Sequence, residues 1–227
     1  MTLKYKVRTR QTIETINKIS DQGISKISVI IRHSDRFFSN DPKAESFMGL
    51  TDIGKDFAFD FGSKLHSNPV PKLCSSFLGR CIETAYLIDK GYTKQNNLSC
   101  DHNVIKNVLG PLYIKDIEKV MKLFRKQESE IFLRNWFDKR IDKNIITDPE
   151  ETSDDICEFM IEQIKNLQDN QIALCISHDW NILPVKEFKM NLKHEISGDV
   201  GYLDALIFFE NNNKYYITNY QTDPILL

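Results

Sequence analysis

Two histidines, three arginines and one acid of this chain fall in three short polar clusters, and each cluster follows an apolar run. The first is Arg32-His33-Ser34-Asp35-Arg36, after the β-branched run at 26–31 (KISVII). The second reads Ser75-Ser76-Phe77-Leu78-Gly79-Arg80 and continues through Cys81-Ile82-Glu83 to Thr84-Ala85. The third is Ser177-His178-Asp179, after QIALCI at 171–176. These residue types suit the transfer of a phosphoryl group. The transferring group carries charge on its equatorial oxygens, so catalysis is mostly positioning plus electrostatics. Arginine offers a planar fork of donors that matches phosphate bidentately. A histidine nitrogen can act as nucleophile and split one difficult displacement into two. A carboxylic acid can protonate the leaving oxygen. Arginines around His33 disfavour its protonated form, which keeps the ring neutral and nucleophilic.

The clusters can act together only if the elements before them end at one place. The runs at 26–31, 72–76 and 171–176 are predicted to be buried strands. In open α/β sheets, ligands bind outside the carboxyl ends of strands, so three strand ends can share one crevice. Residues 12–21 read as a short helix stopped by Gly23. Thr51 is a plausible N-cap for a helix running to about residue 66. Pro69 and Pro71 break the chain, and 79–89 reads as a helix. Residues 110–168 read as almost entirely helical, with an amphipathic stretch at 153–167. Runs at 203–209 and 215–218 flank Asn211-Asn212-Asn213 and read as a hairpin with a polar turn. Strands alternating with helices predict an α/β three-layer sandwich. Its central sheet is expected to be mostly parallel, with helices on both faces. A single domain is expected over 1–227, with a helical cap inserted near 110–150.

Composition bounds the possibilities. The chain has 227 residues, enough for one large domain. Hydrophobic and charged fractions of 41% and 27% are those of an ordinary globular protein. A formal net charge of −2 gives no field that would make nucleic acid or an anionic membrane the main partner. The five cysteines, Cys74, Cys81, Cys100, Cys157 and Cys175, form no CxxC pair. They suggest neither a zinc cage nor a disulfide framework, and they read as reduced thiols. No apolar run is long enough to span a bilayer. Without a signal-like N-terminal segment, a reducing, cytoplasmic setting is expected. His66, His102 and His194 lie outside the clusters and read as structural. Phe37, Phe38 and Phe77 are read either as lining a site mouth or as core. Arg32 and Arg36 are read as phosphate ligands, with an ion-paired couple around Asp35 as the other possibility.

Taken in order, the clusters resemble the histidine phosphatase superfamily, in its acid phosphatase-like branch, which is related to phosphoglycerate mutase-like proteins. Arg32 to Arg36 resembles its RHGxR motif, and Leu50-Thr51-Asp52-Ile53-Gly54 its LTxxG element. Ser75 to Ala85 resembles SSxxxRxxxTA, and His178-Asp179 resembles the HD motif. The likeness spans residues 27 to 185 and thins over about 100–170 and the last forty or so residues. Two positions depart from the pattern: Ser34 stands where glycine is usual, and Trp180 where a smaller residue is expected. Trp180 is expected to narrow the pocket or to stack on a substrate ring. The resemblance implies that His33 forms a phosphohistidine and that Asp179 donates the proton. It implies that Arg32, Arg36, Arg80 and His178 bind the phosphate, with no metal and no organic cofactor. The implied activity is hydrolysis of a phosphorylated small molecule. A mutase-like phosphotransferase and a non-catalytic phospholigand-binding protein are the alternatives.

Overall fold

In a computed structural model that describes residues 3–39 and 41–227, the strands form one seven-stranded sheet, ordered β3-β2-β4-β1-β5-β6-β7. Its middle comes from the most apolar runs of the chain. β1 (Ile27–Arg32) pairs in parallel with β4 (Gln171–Ser177), β4 with β2 (Val70–Ser75), and β2 with β3 (Val104–Ile105). On the other side of β1 the sheet turns antiparallel. β5 (Ala205–Asn211), β6 (Lys214–Asn219) and β7 (Thr222–Leu226) form a meander there. The expected parallel sheet is therefore its four-stranded half, and the whole is mixed. β1 and β4 are buried almost throughout because helices cover both faces.

Side-chain alternation along the strands divides the core into two layers. Val29, Ile31, Leu174 and Ile207 face α1 (Leu3–Asp21), α3 (Asp52–Ser63) and α4 (Gly79–Asn96). Ile30, Cys175, Leu206 and Phe208 face α7 (Pro149–Lys165) and α8 (Asp179–Lys189). These are the three expected layers. Among the described residues, no helix is long and apolar enough to cross a membrane.

The structure differs from the sequence reading in places, each with a physical reason. Strand β2 begins at Val70 and includes Pro71. β3 reaches only Cys74 and Ser75, so the N–H that Pro71 lacks faces no ladder partner. Residues 110–168 are less helical than expected. α5 (Ile117–Arg125) and α6 (Ser129–Phe137) are followed by an irregular stretch, 138–148, tied back by Thr147 N donating to Tyr113 O at 2.7 Å. Asp148 then caps α7, with Pro149 at its first position, where the missing N–H costs nothing. In the hairpin, Asn212 and Asn213 take positive φ of 52° and 58°, the handedness that a tight two-residue turn requires. Edge strands β3 and β7 were not foreseen. β3 has two residues, and β7 contains Pro224, which an edge tolerates.

Candidate active site

Register brings the three clusters together. Arg32 lies opposite Ser177 and Ser75 opposite Ile176 on adjacent strands. The ladder continues one residue beyond the strands. His33 N donates to Ser177 O, and Ser76 N to Ile176 O, each at 2.9 Å. His33, Ser76 and His178 therefore leave the carboxyl edge of the sheet side by side, and the sheet backbone fixes their spacing.

His33 is 3% exposed, and its Nδ1 lies 2.8 Å from the Ser34 carbonyl oxygen. A carbonyl only accepts, so Nδ1 carries the proton and Nε2 keeps its lone pair. Burial pushes the pKa of His33 well below its ordinary value. The charges of His178, Arg32 and Arg80 push the same way, against the Ser34 carbonyl. The His178 ring stands edge-on to it, with centroids 5.4 Å apart. His178 Nδ1 accepts from Arg80 at 3.4 Å, and its Nε2 lies 3.0 Å from Ser76 Oγ. Burial, then Arg80, Arg32 and Arg36, lowers the pKa of His178 as well.

Each arginine faces this edge and already holds an acid or a histidine. Arg32 donates to Asp179 Oδ2 at 2.9 Å and to Val200 O at 2.6 Å, with its guanidinium 4.4 Å from the Tyr202 ring centroid. Arg36 pairs with the Glu45 carboxylate and lies 4.0 Å over the Phe38 ring. Arg80 is buried, its NH1 3.5 Å from Glu45 O. The Nε groups of Arg32 and Arg80 have no hydrogen-bond partner. Asp179 opens α8, its Oδ1 accepting from Trp180 N at 2.9 Å, and its side chain is 33% exposed. All six residues singled out in the sequence thus meet at one edge. Asp35 is not the partner of Arg32 or Arg36; its Oδ2 accepts from Thr51 Oγ1 at 2.8 Å.

No family model matches the sequence, and no curated protein matches it. Solved structures do. A phosphoglycerate mutase from Bacillus anthracis superposes with a TM-score of 0.56 at 17% identity, covering 87% of this chain and 94% of its own. Bacillus stearothermophilus YhfR gives 0.55 at 16% identity, covering 85% and 95%. A mycobacterial glucosyl-3-phosphoglycerate phosphatase gives 0.53 at 12%, covering 89% and 97%. The chain shares the fold of these phosphoglycerate mutase-like structures.

Within that fold, the two departures have structural explanations. Ser34 is fully buried, and its φ lies outside the left-handed region, so the loop asks for no glycine. Its side chain is used instead. Ser34 Oγ donates to Gly54 O at 2.7 Å, and Ser34 N donates to Thr84 Oγ1 at 3.1 Å. The position that does require glycine is Gly54, where a Cβ would sit 2.0 Å from Asp35 O. Thr51 caps the same turn by accepting from Gly54 N at 3.0 Å, so the LTxxG element presses α3 onto the loop that carries His33. Trp180 already has ring partners within the chain. It stacks on Phe132 at 5.2 Å and packs against Phe124 and Trp136. It anchors α5 and α6 to the start of α8. Phe37, Phe38 and Phe77 are all exposed rather than core.

The sequence motifs do not point to Glu45, Val200 or Tyr202, and Ser76 is not among the site residues they nominate. Glu45 ends the short helix α2 (Pro42–Glu45), and Val200 and Tyr202 belong to the loop before β5. For Ser76 a signal existed: a hydroxyl one residue beyond a buried strand, in register with a histidine.

Proposed function

We propose that this chain hydrolyses phosphate monoesters of a small molecule through a phosphohistidine on His33. The observation that carries the reading is the convergence of His33, His178-Asp179 and three arginines at adjacent strand ends, with Nε2 of His33 left unprotonated. Arg32, Arg36, Arg80 and His178 bind the phosphate. The carboxylates of Asp179 and Glu45 mark where guanidinium forks accept an anion.

In the first step Nε2 of His33 attacks phosphorus, forming the N–P bond as the ester P–O bond breaks. Asp179 gives its proton to the leaving oxygen. In the second step Asp179, now a carboxylate, takes a proton from water. The hydroxide oxygen bonds to phosphorus, and the N–P bond breaks to return His33 and free phosphate. The same arginines hold the equatorial oxygens through both steps. The residues supply nucleophile, cations and acid, so the reaction calls on neither metal nor organic cofactor. α5 and α6 are proposed to act as a cap over one domain.

Replacing His33→Ala is expected to abolish turnover of p-nitrophenyl phosphate while the chain stays folded. Near-wild-type activity in that variant would sink the mechanism. Transfer of the phosphate to an added hydroxyl compound in preference to water would identify a mutase-like phosphotransferase instead.

A further inference from the structure

A second polar cluster lies where α6, α8 and α9 (His194–Ser197) meet, and none of its residues belongs to the strand-end motifs. Arg134 grips the Glu195 carboxylate with two N–H groups, at 2.6 and 2.8 Å, and donates to Glu187 Oε1 at 2.9 Å. The Glu187 side chain is 8% exposed, and its other oxygen, Oε2, has no hydrogen-bond partner. The His194 side chain is 2% exposed, and neither of its ring nitrogens has one. His194 Nδ1 lies 3.3 Å from Glu195 Oε2 without the orientation of a hydrogen bond. A buried imidazole and a buried carboxylate oxygen, both desolvated and both unpaired, call for an explanation.

We propose that Glu187, His194 and Glu195 form a binding site for a divalent cation of the zinc type. One ligand atom from each lies within 4.8 Å of the others. Zinc takes histidine nitrogen and carboxylate oxygen at about 2.0–2.2 Å, which puts neighbouring ligands on a tetrahedral centre roughly 3.4 Å apart. His194 Nδ1 and Glu195 Oε2 already have that separation, so the Glu187 side chain makes the larger closing movement. A mixed nitrogen and oxygen donor set suits zinc better than calcium or magnesium, which favour oxygen alone. Arg134 is then the outer partner that orients both ligating carboxylates. Its charge does not cancel the site. Arg134 and Arg140 face three carboxylates, Glu187, Glu195 and Asp138, which leaves one negative charge in excess. A cation here would join α8 to α9 directly, with α6 tied in through Arg134.

The test uses the full chain, stripped of metal and then given Zn2+ alone, with bound metal counted by elemental analysis after dialysis. One Zn2+ per chain is expected, and Co2+ in its place should show the visible absorption of a tetrahedral centre. His194→Ala and, separately, the near-isosteric Glu187→Gln should each lose that equivalent, with circular dichroism unchanged. Should His194→Ala fail to fold, Glu187→Gln decides. No stoichiometric Zn2+ on the wild-type chain would overturn the proposal. So would an equivalent that survives Glu187→Gln, or one lost only when His33 or His178 is replaced.

Discussion

The strand-end site and the helical region around Trp180 meet at a single peptide bond, between Asp179 and Trp180, yet they are built by different means. In the site nearly every side chain is polar, and short bonds to backbone hold many of them: His33 to Ser34 O, Arg32 to Val200 O, Ser34 to Gly54 O. Around Trp180, by contrast, Phe124, Phe132 and Trp136 meet ring to ring, and the indole of Trp136 spends its one donor on Thr147 O at 2.8 Å. The first arrangement ties individual polar atoms to particular backbone partners. The second fills space, and many other apolar sets would fill it as well. On the proposed reading, chemistry belongs on the first and variation on the second.

Breaking each side in turn should give effects of different kinds. After the abolished turnover expected from His33→Ala, the largest is expected from Asp179→Asn. Loss of the proton donor should slow hydrolysis of alkyl phosphates by about 10²–10⁴. p-Nitrophenyl phosphate, whose leaving group needs little help, should be slowed far less, and steady-state kinetics on the two substrates checks the split. Equal slowing on both would mean that Asp179 serves mainly to hold Arg32.

Acid should come next, again through the strand-end site. His33 and His178 both have pKa values held below the ordinary value near 6.5. As pH falls through that value the unfolded chain takes up protons that the folded chain refuses. Stability is thus complete above about pH 6.5 and declines below it, by up to about 1.4 kcal/mol per pH unit for each histidine. Urea denaturation across this range should show the decline. It should be shallower in a His33→Asn, His178→Asn chain.

The smallest effect should come from the aromatic side. Trp136→Phe strands the Thr147 carbonyl and removes part of a buried ring, at a cost of about 2 kcal/mol. The urea midpoint should fall while turnover per folded molecule stays the same. A loss of turnover with unchanged stability would mean that this cluster steers the site directly.

What could be read in the sequence follows the same division. The edge of the sheet was legible because a strand end fixes where the next residue points, so Arg32-His33, Ser75-Ser76 and His178-Asp179 could be placed together from three local patterns. Gly54 was legible as a motif, though its reason, the approach of α3 to Asp35 O, needed coordinates. The bracing of Arg32 was not legible. Val200 and Tyr202 lie in an unpatterned loop some 168 residues away, and only the antiparallel pairing of β5 with β1 brings them there. Glu45 was hidden for a related reason, since a four-residue helix leaves no periodicity to detect. The end of α6 and the irregular stretch before α7 were overrun because continuous apolar spacing masked the break that Asp148-Pro149 makes.

The central claim, a covalent bond between His33 and phosphorus, is open to direct capture. The chain would be mixed with a labelled phosphate monoester, quenched in alkali within one turnover, and its peptides mapped by mass spectrometry. The expected result is a label that survives alkali and is lost in acid, located on His33 and absent from His33→Ala. Steady turnover with His33 unlabelled, or with the label on a serine or an aspartate, would contradict it.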